Sequence, residues 1–151
     1  MRIFIDGDGC PVVGETVEIC KKYHVECTIL CDTSHEIYRD GAETIVVEKG
    51  ADSVDFKLVN MVREGDVAVT QDYALAAMCL SKRCRVINQN GLEYTDFNID
   101  SLLLSRFIAK KARNSGERLK GPKKRTAAQT ESFVKKLAEI IEEKHLKKTC
   151  E

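Results

Sequence analysis

The sequence predicts an α/β protein: a central parallel sheet of about five strands, flanked by helices and followed by C-terminal helices. Two observations carry this expectation. Short runs rich in Ile and Val recur along the first ninety residues, and helical patterns separate them, as in repeated strand–helix–strand crossovers. A length of 151 residues with no internal repeat then fits one domain over the whole chain.

The first strand is expected over residues 2–6, and a helix over 11–23 follows, with Pro11 in the opening turn where its missing N–H costs nothing. Residues 25–31 and 44–48 read as the second and third strands, 53–63 as the second helix, 66–70 as the fourth strand, 73–81 as the third helix and 84–88 as the fifth strand. After Gly91 the pattern changes. Residues 99–113 set Leu102, Leu103, Phe107 and Ile108 at helical spacing with lysines and arginines opposite, which predicts an amphipathic helix. Residues 114–125 contain Gly116, Gly121 and Pro122 and read as a loop. Thr126 with Gln129 has the spacing of a capping box, opening a last helix to about residue 146. On that helix Phe133, Leu137, Ile140 and Ile141 form one apolar stripe, suited to a core or to a homodimer. The tail from about residue 99 is expected to pack on the domain as a basic helix–loop–helix.

Composition narrows the function classes. With 43% hydrophobic and 32% charged residues, two Pro and nine Gly, neither a disordered nor a fibrous chain is indicated. The absence of Trp argues against a large aromatic stacking platform. No run approaches the ~18 apolar residues of a membrane span, and no charged leader precedes an apolar stretch, so a cytoplasmic protein without a membrane partner is expected. Seven cysteines, mostly inside apolar segments, read as core residues or free thiols rather than a disulfide framework. The formal charge of zero hides a split: residues 1–100 carry 10 Lys/Arg against 18 Asp/Glu, and residues 101–151 carry 14 against 6.

Aspartates mark three strand exits. In open parallel sheets ligands bind beyond the carboxyl ends of the strands. The first strand ends in Asp6-Gly7-Asp8-Gly9, where the glycines let the backbone turn while both carboxylates project to one side. The fourth ends in Thr70-Gln71-Asp72, and after the third, Asp52 leads into a helix bearing Asp55. Asp52 has the position of a helix N-cap and is held in reserve; Asp55, three residues on, shares its face and is the favoured inward carboxylate. Each aspartate alone reads as an ordinary cap, but carboxylates gathered at one sheet edge repel one another and persist when a cation neutralises them. Oxygen ligands without His or Cys suit Mg²⁺ or Mn²⁺, and water activated by such an ion attacks phosphodiesters. Thr70, and Ser34 with His35 after the second strand, are placed to support the carboxylates or touch substrate.

Two other patterns carry less. The spacing His24-x2-Cys27-x3-Cys31-x3-His35 invites a zinc reading, but Cys27 and Cys31 alternate along a strand toward the core, a poor geometry for four ligands. Cys10 precedes a helix start, where the dipole favours thiolate, but has no neighbouring base or resolving thiol and reads as a packed turn residue. Nine cations, Arg106, Lys110, Lys111, Arg113, Arg118, Lys120, Lys123, Lys124 and Arg125, fall between residues 106 and 125 against Glu117 alone. They form either a solvated face or a grip on the phosphate backbone of a nucleic acid, RNA first.

The segments Asp6-Gly-Asp-Gly-Cys-Pro11, Asp32-Thr-Ser-His35, Lys49-Gly-Ala-Asp-Ser-Val-Asp55, Val69-Thr-Gln-Asp72, Asn88-Gln-Asn-Gly91 and Lys120-Gly-Pro-Lys-Lys-Arg-Thr126 together resemble the YaiI/YqxD family of bacterial proteins over nearly the whole chain. The resemblance implies a three-layer PIN-like fold, related to metal-dependent ribonucleases whose acids follow the first strand, lie in a mid-chain helix and follow the fourth strand. Carried over, these are Asp6, Asp55 and Asp72, with Asp8 as an additional acid. The family's commoner opening has alanine where Gly7 and Gly9 stand here, and the family has no established substrate.

Three functions compete. The first is a Mg²⁺- or Mn²⁺-dependent ribonuclease with Asp6, Asp8, Asp55 and Asp72 as its catalytic and metal-binding acids. The second is a phosphatase of the haloacid dehalogenase type, since an apolar strand followed by Asp6-Gly-Asp8 matches that opening, with Asp6 as nucleophile and Asp8 as general acid. Cys10 stands where that family has Thr or Val, and no clear lysine-plus-paired-acid ending follows. The third is a nucleic-acid-binding or regulatory protein without catalysis.

Overall fold

The computed structural model describes residues 1–117 and 123–150. Six strands form one sheet: β1 Arg2–Asp6, β2 Glu26–Asp32, β3 Glu43–Val47, β4 Val67–Val69, β5 Arg85–Ile87 and β6 Glu93–Tyr94, in the order β3-β2-β1-β4-β5-β6. The first five run parallel, and β6 returns antiparallel on β5. Five helices follow or separate them: α1 Val13–Tyr23, α2 Ser53–Met61, α3 Tyr73–Ser81, α4 Ile99–Asn114 and α5 Ala127–Cys150. No helix among the described residues is long and apolar enough to cross a membrane.

The architecture has three layers. On one face of the sheet Ile3, Ile5, Ile29, Val67 and Val69 meet α1 and α5; on the other Phe4, Leu30 and Ala68 meet α2, α3 and the start of α4. Strand β1 is central and covered on both faces, which is why its run is continuously apolar and does not alternate. Phe133, Leu137, Ile140 and Ile141 of α5 are fully buried in the first of these cores, so the stripe that suited a dimer equally well is used internally.

Helix starts follow local chemistry. The capping box is present: Thr126 N–H donates to Gln129 Oε1 at 3.0 Å and Gln129 N–H to Thr126 Oγ1 at 3.3 Å. Helix α1 begins at Val13, two residues after Pro11, because Cys10–Val12 is spent on the turn out of β1. Strand β6 has only two residues and leaves no periodic trace in the sequence.

Helix α4 departs from its expected packing. Ile99, Leu102 and Leu103 pack against the core, but Leu104, Phe107 and Ile108 are exposed. Its support is α3, a helix of 9 residues against its own 16, so the later turns run past the end of α3.

Helix α5 is anchored at the loop after β5. Arg125 donates to Asn90 Oδ1 and to the Gln89 carbonyl, both at 2.6 Å, and Gly91 (φ +85°) lies so close to α5 that a Cβ there would meet the Ser132 carbonyl oxygen at 2.6 Å. Gly91→Ala combines an unfavourable backbone conformation with overpacking against helix backbone. It is expected to cost about 2–4 kcal/mol in urea unfolding.

Candidate functional site

The strand order reverses between β1 and β4, since the chain leaves β1 for β2 on one side and reaches β4 on the other. At such a point the helices diverge to opposite faces and open a crevice at the carboxyl edge. Asp6 ends β1 and Thr70 follows β4, and they are joined directly: Thr70 Oγ1–H donates to Asp6 Oδ2 at 2.8 Å while Asp72 N–H donates to Thr70 Oγ1 at 3.0 Å. Buried Tyr94 donates its hydroxyl to the Thr70 carbonyl at 3.2 Å, fixing the same residue from β6. Across the loop, Gln71 Nε2 donates to the Gly9 carbonyl at 2.8 Å. Gly7 N–H donates to the Leu30 carbonyl at 2.8 Å, an approach so close that a Cβ on Gly7 would stand 2.8 Å from that oxygen. The turn bearing Asp8 is thereby held against β2.

The crevice is an open cleft of about 530 Å³ lined by Asp6, Asp8, Asp32, Asp52, Asp55 and Asp72. Among the described residues Arg106 is the one cation that lines it, paired with Asp72 at 3.3 Å. Burial raises the pKa of Asp6, Thr70 opposes this by its hydrogen bond, and Asp72 and Asp8 raise it further. Asp55 is pushed up to about 6, first by burial and then by Asp72, Asp6 and Asp52, against the opposing charge of Arg106. Among the described residues the cluster is an excess of negative charge that Arg106 alone offsets. Among the described residues no three His, Cys, Asp or Glu side chains are gathered tightly enough to enclose a metal ion. The anionic donors are nonetheless all carboxylates and the cleft is open, which fits a hard cation that keeps several waters and takes one or two carboxylates.

The aspartates divide their duties differently from the sequence expectation. Asp72 Oδ1 caps α3, accepting from Ala74 N–H at 2.9 Å and Leu75 N–H at 3.2 Å. Asp52 occupies the cap position of α2 with φ 59° but makes no capping bond, and Ser53 Oγ instead donates to the Glu48 and Gly50 carbonyls. Asp52 and Asp55 do line the same cleft, as their spacing predicted. Asp32 was not among the candidates; it ends β2 at the same edge, and applying the strand-exit rule to that strand would have found it. Its carboxyl is held below the usual range by hydrogen bonds from the Ser34 hydroxyl and backbone, so Ser34 serves Asp32. Tyr73, Gln71 and Ser53 also line the cleft and have no sequence signature that marks them.

Other candidates lie outside the cleft. His35 lines a neighbouring depression with Cys10 and Arg39. Burial pushes the Cys10 thiol up to about 11, the reverse of the dipole expectation and in keeping with a packed turn residue. Cys27 and Cys31 are buried in β2, away from a zinc-like grouping. Of the nine cations, Arg106 reaches the cleft, Lys110 lines the hollow beside it, and Lys111, Arg113, Lys123 and Lys124 are exposed. Arg125 is half-buried and committed to the Gln89–Asn90 loop; Arg118 and Lys120 lie outside the described residues.

A family model described as "Uncharacterized BCR, YaiI/YqxD family" matches residues 4–143. The chain is 45% identical over 144 residues to a UPF0178 protein of Exiguobacterium sibiricum, covering 95% of this chain and 99% of that one. It is 46% identical over 142 residues to a UPF0178 protein of Ruminiclostridium cellulolyticum, covering 93% and 92%, and 41% identical over 143 residues to one of Clostridium acetobutylicum, covering 93% and 97%. No solved structure matches the chain.

Proposed function

The chain belongs to the YaiI/YqxD family of bacterial proteins, and from that premise and the cleft we propose that it is a divalent-metal-dependent nuclease of PIN-like type, hydrolysing phosphodiester bonds in RNA. The observation that carries this is the meeting of six aspartates at the sheet's topological switch point around a cleft that Arg106 alone of the described cations lines. Of Asp6, Asp8, Asp55 and Asp72, one or two would bind Mg²⁺ or Mn²⁺ directly and the others through its waters, with Asp52 and Asp32 within the same lining. Bound there, the ion supplies charge neutralisation for a phosphate and a water acidic enough to act as a nucleophile near neutral pH.

The residues themselves do the rest. Thr70 holds the Asp6 carboxylate through a hydrogen bond and is itself held by Asp72 N–H and Tyr94. Arg106 is ion-paired where a phosphate oxygen could replace the Asp72 carboxylate. Exposed Lys110, Lys111 and Arg113 extend positive charge along α4 from the cleft, a track for the backbone of a strand. The phosphatase reading finds less support, since no lysine lines the cleft among the described residues.

Calorimetric titration with Mn²⁺ of wild type and Asp72→Asn, followed by incubation of both with a mixed RNA pool, tests the proposal. Wild type is expected to bind the ion and cleave, with EDTA stopping the reaction and the variant impaired in both. Cleavage that survives EDTA, or turnover of a generic aryl phosphate without RNA cleavage, would sink it.

A further inference from the structure

Beside the aspartate cleft lies a second hollow of about 520 Å³, between α2 and α4, which shares Asp52, Asp55, Asp72 and Arg106 with it. Its apolar lining is Phe56, Met78, Leu103 and Phe107, and Lys110 lines it too. The two phenyl rings are 59% and 62% exposed, an unfavourable arrangement for residues that the core would otherwise absorb. They come from different helices and both line a hollow that shares four residues with the acidic cleft.

We propose that this hollow is a subsite for one unpaired nucleobase of a single-stranded nucleic acid whose adjoining phosphate lies in the aspartate cleft; the inference rests on the nuclease reading of that cleft. A base is flat and neutral, so its face gains from aromatic and thioether walls without meeting the repulsion that a phosphate would meet from Asp52 and Asp55. Its exocyclic amino edge donates hydrogen bonds, which carboxylates accept. Arg106 and Lys110 then stand on the same lining to hold the backbone that carries the base. A duplex keeps its base faces stacked inside and offers this hollow none of them. A second copy docked symmetrically would bring its own Asp52, Asp55 and Asp72 against these, placing like charges together.

Anisotropy with a short labelled oligoribonucleotide, with Ca²⁺ in place of Mn²⁺, tests the subsite on the full chain. The probes are the intact strand, the same strand with one abasic position moved stepwise along it, and the strand annealed to its complement. An abasic residue at one position is expected to weaken binding on the order of tenfold, the worth of one stacked base. Phe107→Ala is expected to cost the same factor on the intact strand and nothing further on the abasic one, with Phe107→Tyr restoring wild-type behaviour and the duplex binding worse than the single strand. Equal loss on intact and abasic strands, failure of the tyrosine to rescue, equal binding of duplex, or no binding of any probe would each overturn the subsite. A dimer seen in sedimentation and dissolved by Phe107→Ala would assign the surface to a second copy and overturn it as well. Mn²⁺-dependent cleavage without this coupling refutes the subsite and leaves the nuclease reading standing. Coupling without cleavage upholds the subsite and refutes that reading.

Discussion

Asp6→Asn is expected to lower Mn²⁺-dependent cleavage of RNA on the order of 10³-fold while the protein stays folded. The carboxylate is half-buried at the end of the central strand, and Thr70 donates its hydroxyl to it at 2.8 Å. An asparagine turned to present its oxygen keeps that hydrogen bond and the shape of the site and removes only the charge that a cation would bind. Because Asp72 and Asp8 already work against ionisation of Asp6, the variant relieves repulsion, and its metal-free melting temperature should match or exceed wild type. Thr70→Val is the informative companion. It removes no carboxylate but frees Asp6 and takes the acceptor from Asp72 N–H, and a loss of about 10–100-fold is expected, the usual cost of removing a group that orients a metal ligand. Wild-type rates in Asp6→Asn, measured on the same RNA at saturating Mn²⁺, would end the case for this carboxylate.

The parts of the site that were legible in the sequence are those that depend on strand exits. Asp6, Asp52, Asp55 and Asp72 follow β1, β3 and β4, and strand identity could be read from the Ile and Val runs; parallel pairing puts the exits at one edge, and the packing of α2 over the sheet brings Asp52 and Asp55 to the same cleft. Asp32 obeys the same rule and shows that the rule is more general than its first application. The duties within the cluster were not legible, because they depend on φ and ψ at single residues. Asp52 takes a left-handed conformation and makes no capping bond to α2, whereas Asp72, in extended conformation, caps its own helix α3. Spacing also misled at α4. Periodicity reports which residues share a helix face, and Leu103 with Phe107 do share one; it does not report whether another element is long enough to cover that face. Arg125 belongs by sequence to the run of nine cations, but its guanidinium is bound to Gln89 and Asn90, a tertiary contact that charge counting does not report.

Without a divalent cation, stability is expected to fall as pH rises from about 4.5 to 7, and Mn²⁺ is expected to reverse this. Asp55 titrates near 6 in the folded protein against 3.8 for a free aspartate, and Asp6 is shifted in the same direction. Between those values the unfolded chain has released its protons while the folded cleft still holds them, so each rise in pH favours unfolding. The loss should be on the order of 1–2 kcal/mol, after allowing for solvent screening of half-buried groups. Asp32, Glu93 and Glu143 are shifted down, so their contributions are lost only as pH falls below the ordinary carboxylate range and do not mask this window. A cation competes with the same protons, so its binding strengthens as they leave, and the stabilisation it gives grows with the ratio of its concentration to its dissociation constant. Urea unfolding with and without Mn²⁺ should therefore diverge more at pH 7.5 than at pH 5, and Asp55→Asn should flatten the metal-free curve and shrink the divergence. Parallel curves at both pH values would mean that the aspartates neither repel one another nor bind the ion.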